Sequence, residues 1–241
     1  MLNVMSVVYL LLVIAFLVVR VRQGGVKALV LKTLSSITFI VLGIIALSMS
    51  FENFSHGIFI VVGLFFGMLG DVFLDLKYVQ KKYDEKYTFA GMISFLIGHL
   101  FYIMGILATY TEYIWWQIVF AILCATVVSA ISHFLSKKNG MEYGKFEMLS
   151  FVYGIVTMIT VTLSLNAMNM LGLLPIINGK PAPESLPRYI TLFAGTVLFA
   201  ISDLVLSFVF FKKGENKSRN VILNHTLYYA SQFVLVLSIL M

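Results

Sequence analysis

Charge is what this chain has least of. Asp, Glu, Lys and Arg make up 12% of its 241 residues, against 60% hydrophobic ones. Soluble domains of this size do not keep that balance, and long uncharged apolar runs signal membrane spans. Cysteine occurs once, as Cys124 inside an apolar run, which excludes a disulfide framework within the chain and a cysteine-based metal site. All four prolines fall in one stretch, LGLLPIINGKPAPESLPR, which therefore cannot be a span. No H-E-x-x-H or comparable spacing is present, so a metal centre finds no support, and no cofactor is expected. No connection exceeds about 20 residues, too short for a separate soluble domain of roughly 50 or more. The chain reads as one polytopic domain over residues 1–241.

What is present is hydrophobic length. Eight apolar segments lie near residues 2–19, 29–50, 57–76, 88–109, 114–135, 148–170, 189–211 and 221–241, each close to the roughly 20 residues that cross a bilayer as helix. Helices are forced, because no water satisfies backbone groups at that depth, and a barrel would alternate polarity residue by residue. The expected fold is an all-α bundle of eight transmembrane helices. Of seventeen Lys and Arg, only Lys180 and Arg188 fall in even-numbered connections. The positive-inside rule then puts both termini outside and the odd-numbered connections in the cytoplasm. Residues 2–19 have no basic residue before them, and Arg20, Arg22 and Lys27 after them. That order is the reverse of a secretory signal and fits a first span. The net charge of +6 thus reports topology; no nucleic-acid partner is expected. The setting expected is a bacterial cell membrane, and the oligomeric state is not legible.

Three acids break the apolar runs: Asp71 and Asp75 in GIFIVVGLFFGMLGDVFLDL, and Asp203 in YITLFAGTVLFAISDLVLSFVFF, while the other eight are expected in loops. A carboxylate in hydrocarbon costs roughly 2.5–3.5 kcal/mol on insertion scales and persists where it faces a protein interior or a wet cavity. Asp71 and Asp203 lie away from helix ends and read as functional. Asp75, four residues from Asp71 and so on the same helix face, reads as an interfacial carboxylate beside Lys77. Position alone favours Lys32 snorkelling to the inner surface; the alternatives are a pair with a buried Asp or contact with a phosphate.

His99 follows Gly98 in a helix whose glycines recur at 91, 98 and 105, a tight seam. It shares a face with Phe95 and Tyr102 and is either a core histidine satisfied by a tyrosine or a catalytic one. Tyr228 and Tyr229 suit an aromatic belt; Gln232, further in, does not. His56 and His133 lie at span ends and look structural. Spans three and four echo spans seven and eight: Gly70-Asp71 then His99-Leu-Phe-Tyr102, and Ser202-Asp203 then His225-Thr-Leu-Tyr228. This is the pattern of two parallel four-helix repeats about an axis along the membrane normal.

The set Lys32, Gly70-Asp71, Gly91…Phe95…Gly98-His99…Tyr102, Ser202-Asp203-Leu204 and Tyr228-Tyr229…Gln232 resembles the YhhN family of membrane proteins, which includes the lysoplasmalogenases. The likeness extends over nearly the whole chain. One departure is Thr33 after Lys32, where many members have proline; it removes no chemical group. The resemblance implies a polytopic hydrolase cleaving the vinyl ether bond of lysoplasmalogens to a fatty aldehyde and glycerophosphocholine or glycerophosphoethanolamine. The family's paired aspartates carry over to Asp71 and Asp203. The substrate would be a lipid drawn from the bilayer.

That chemistry suits the residues. Vinyl ether hydrolysis begins with protonation of carbon and leaves an oxocarbenium ion for water to capture. Two carboxyls in one low-dielectric cleft can divide the roles, one keeping its proton while the other ionises, as the carboxyl pair of glycosidases does. The sequence does not assign the two roles. Lys32, Asp75, His99, Tyr102, Tyr228, Tyr229 and Gln232 are the expected supporting or substrate-binding residues. A proton-coupled transporter or lipid flippase is the reading from another class, since intramembrane Asp and His also serve proton relays. A third is a structural protein whose carboxyls only join helices.

Overall fold

A computed structural model describes residues 2–51, 54–110 and 115–241. Among them, eight long helices are apolar enough to cross a bilayer, and there is no strand. They are α1 (Leu2–Arg22), α2 (Gly25–Met49), α3 (Phe54–Val79), α4 (Asp84–Leu107), α5 (Trp115–Lys138), α6 (Glu147–Ala167), α7 (Leu186–Phe211) and α8 (Ser218–Leu240). Each expected span matches one helix; Ile114, the first residue expected in the fifth, lies outside the described residues.

The helices overrun the apolar segments because their ends gain from polar residues. Asp84 and Glu85 form the first turn of α4 and Glu147 opens α6, where the helix dipole favours negative charge. These acids were expected in loops. Arg20, Arg22, Lys77, Lys137 and Lys138 occupy last turns, where the dipole favours positive charge. The proline-bearing connection also begins in helical form. α6 runs on through a π-helical stretch, Met168–Leu173, and a last turn, Leu174–Ile177. Pro175 is tolerated there because it stands in the first turn of that piece. Between α1 and α2 the chain turns on Gly24 and Gly25, both at positive φ (63° and 61°), a conformation glycine adopts without steric cost.

The basic connections gather at one end of the bundle. Glu142 N–H donates to Phe211 O at 2.8 Å, Lys145 pairs with Glu85, and Lys77 Nζ lies 3.4 Å from the centre of the Phe210 ring. The Arg20 guanidinium stands over Tyr78. The ends of α1, α3 and α7, the start of α4 and the α5–α6 connection are thereby tied together, and this is called the basic end below.

Two helix pairs form the framework, α3 with α4 and α7 with α8. Glycine makes the first pair close: a Cβ on Gly98 would stand 3.2 Å from Gly63 O, and one on Gly105 3.4 Å from His56 O. With little hydrophobic gain available in lipid, such backbone approach and its dispersion contacts hold the pair. α8 lies against α2, α3 and α7 near the middle of the bundle, whereas α1 and α5 are peripheral and little buried. His56 bridges α3, α4 and α8 through Gly105 O (2.9 Å) and Ser238 Oγ (3.1 Å), a structural role. The two-repeat pattern is not confirmed. α2 packs extensively along α3, but its would-be counterpart α6 meets α7 less extensively and ends in a π-helix that α2 lacks.

Candidate active site

α3 carries Gly63, Gly67 and Gly70 and then Asp71 and Asp75, all buried. The glycines admit the neighbouring helices, so both carboxylates face protein. Lys32, on α2, inserts between them: Nζ is 3.2 Å from an oxygen of Asp71 and 3.2 Å from one of Asp75. The second Asp75 oxygen lies 3.4 Å from Arg20 Nη1. The second Asp71 oxygen accepts from Ser36 (2.6 Å) and Tyr228 (2.8 Å). Two cations and two anions form a quartet whose charges cancel, the condition under which ions persist in an apolar interior.

Two expectations are corrected here. Lys32 does not snorkel to the surface; it is 3% exposed and points at the carboxylates. Asp75 is not an interfacial partner of Lys77; it is 2% exposed and pairs with Lys32 and Arg20. The reason is the same for both. α2, α3 and the end of α1 lie close enough that each charge finds an internal counter-ion within 3.4 Å.

Asp203, on α7, has different company. Tyr153 of α6 donates its hydroxyl to Asp203 Oδ2 at 2.6 Å. His99 of α4 stands 3.7 Å from the same oxygen through Nε2, and its Nδ1 lies 3.3 Å from Thr160 Oγ1. His99 Nε2 is buried without a hydrogen-bond partner among the described residues. No Lys or Arg pairs with Asp203 among the described residues. Its side chain is 13% exposed where that of Asp71 is 2%, so Asp203 is the more accessible carboxyl.

Both aspartates line one cavity, which opens between α3, α7 and α8 toward the basic end. Lys32, Asp75 and Tyr228 also line it, with Arg20, Phe95 and His225. It is narrow, about 30 Å³, room for one or two waters. Phe95, Phe199 and Tyr228 close its deep side as an edge-to-face trio with centroids 5.5–6.2 Å apart. The remaining expected residues stand behind this wall. Tyr102 donates to Gln232 Oε1 at 2.8 Å, and Tyr229 reaches Lys32 O at 3.4 Å. Among the described residues neither tyrosine hydroxyl bonds to a carboxylate; both brace the helices that carry them.

Arg20, Ser36 and Tyr153 were missed. Arg20 counted only as a topology marker. Ser36 lies one turn after Lys32, a spacing that places it on the same face and could have revealed it. Tyr153 is one aromatic among many in an apolar span and carries no local signal. Among the described residues no three His, Cys, Asp or Glu side chains converge as metal ligands do.

Fold and site together define a multi-pass membrane protein with a buried polar centre built from several spans. The chain belongs to the YhhN family, which it matches over residues 27–239, nearly its whole length. Comparison with curated proteins and with solved structures gives no match.

Proposed function

We propose that this protein hydrolyses the vinyl ether bond of lysoplasmalogens, with Asp203 as the proton donor and Asp71 as the anionic partner. Membership of the YhhN family is consistent with that activity. The observation that carries the reading is that two carboxyls from separate helices share a water-sized cavity and yet have unlike partners. Asp71 is held by an ammonium and two hydroxyl donors, which all favour the carboxylate. Asp203 has one hydroxyl donor and an imidazole, and is the one free to hold a proton in a low-dielectric site.

The steps balance. Asp203 transfers its proton to the alkenyl carbon second from the ether oxygen. The double-bond electrons form that C–H bond and leave an oxocarbenium ion beside Asp203, toward which Asp71 supplies negative charge across the small cavity the two share. Water adds to the carbon bearing oxygen, and a carboxylate takes its proton. The hemiacetal then collapses to a fatty aldehyde and the glycerophospho alcohol. Tyr153 and His99 position Asp203; Lys32, Ser36 and Tyr228 position Asp71. In this reading the basic end faces the cytoplasm and the lipid comes from that leaflet.

The test is release of fatty aldehyde from lysoplasmalogen by purified protein, with ordinary lysophospholipid as the control. Asp71→Asn and Asp203→Asn should each abolish release while the protein still purifies as a folded monodisperse species. Near wild-type turnover in either variant would sink the proposal. Cleavage of the ester lipid alone would also exclude it. Proton-driven solute uptake into proteoliposomes with no hydrolysis product would favour a transporter instead.

A further inference from the structure

The cavity between the aspartates is too small for a lipid, and a larger opening adjoins it. A groove of about 340 Å³ runs between α5, α6 and α7 with Asp203 and Tyr153 in its wall, within the 300–1,000 Å³ typical of ligand sites. Its lining is graded along the helix axes. Toward the basic end stand His133, Ser136, Tyr143, Ser150 and Ser207; at mid-height are Asp203, Tyr153 and Thr157; deepest are Met158, Val161 and Val197. The Ser150 hydroxyl has no hydrogen-bond partner among the described residues. The lips, Val128, Ile201 and Leu204, are exposed apolar side chains, so the groove opens sideways to the bilayer.

Gly154 adds an independent observation. Among the described residues a Cβ placed there meets nothing within 4 Å, unlike every other mid-helix glycine described, and Gly154 lines the groove. Glycine inside a helix costs about 1 kcal/mol relative to alanine and is usually repaid by close packing of a neighbour. Here Ser129 of α5 donates to Gly154 O at 3.0 Å, yet among the described residues no side chain occupies the space a Cβ would take. The residue widens the groove at the level of Asp203.

We infer that this groove is the seat of a single-chain amphiphile, with its polar head toward the basic end and its chain toward Val161 and Val197. The inference rests on the proposed hydrolase reading for its substrate and deepens it by assigning the route and orientation. A molecule so placed has its head–chain junction beside Asp203, the more exposed carboxyl, and reaches it laterally from the leaflet without passing the charged quartet.

The probe is a lysophosphatidylcholine carrying a diazirine near the end of its chain, photolysed with the full-length protein in nanodiscs and mapped by mass spectrometry. Adducts are expected on the deep walls of α5, α6 and α7, around Met158, Val161 and Val197. Gly154→Trp, which fills the groove, should lower labelling roughly tenfold, and Gly154→Leu should do so less, while Gly154→Ala leaves it unchanged. Adducts concentrated on α1 or the basic-end half of α8, or labelling indifferent to Gly154→Trp, would overturn the inference. The wild-type map decides the matter even if the tryptophan variant does not fold. Because labelling needs no turnover, expected adducts without aldehyde release would leave the groove standing and remove the hydrolase reading alone.

Discussion

Lys32 holds two buried carboxylates at equal distance, 3.2 Å each, and its loss leaves an uncompensated anion in a low-dielectric interior. Removing one partner of such a buried network costs about 3–5 kcal/mol. Lys32→Gln should therefore melt well below wild type in detergent. Adding Asp75→Asn should recover part of the loss, because Arg20 and Asp71 then balance in charge. A double variant no more stable than Lys32→Gln would show that the charges do not act as one quartet. At this scale the sequence was informative for anions and poor for their partners. A carboxylate in an apolar run has no inexpensive explanation, so Asp71 and Asp203 stood out. A lysine near a span end does have one, and Lys32 was assigned to the membrane surface for that reason. Tyr153 was invisible because an aromatic side chain in a span needs no justification until its hydroxyl finds Asp203.

At the scale of elements, the α3–α4 seam and the open flank of α6 use glycine for opposite ends. A Cβ on Gly70 would meet the Phe95 ring at 2.6 Å, and that ring is wedged against Phe199 and Tyr228. Gly70→Ala should cost about 1–3 kcal/mol by overpacking and disturb the cavity wall. Gly154→Ala should be neutral or stabilising by up to about 1 kcal/mol. Thermal unfolding of the two variants side by side checks this, and equal melting shifts would contradict the packing described. The seven-residue recurrence of Gly91, Gly98 and Gly105 made the seam legible. The emptiness beside Gly154 was not, since it depends on how far α5 and α7 stand from α6. The helix ends were short in the sequence reading because hydropathy stops at the first charge, whereas helices continue through Arg20, Lys77 and Lys137.

For the molecule as a whole, the eight-helix architecture followed from hydrophobic length alone, and the side facing the cytoplasm rests on loop charge. With Cys124→Ala as background, a cysteine at Lys180 should react with a membrane-impermeant maleimide in intact cells. One at Lys81 or Lys213 should react only after permeabilisation. The reverse pattern would invert the topology and place the polar mouth of the site on the opposite surface. The neutral quartet also constrains biogenesis. During insertion, α2 by itself would carry an ammonium into lipid and α3 by itself two carboxylates, each an expensive passenger. Only the short 50–53 connection separates them, so the nascent chain can deliver the two as one hairpin in which the ammonium offsets one carboxylate, while Arg20 of the preceding α1 offsets the other.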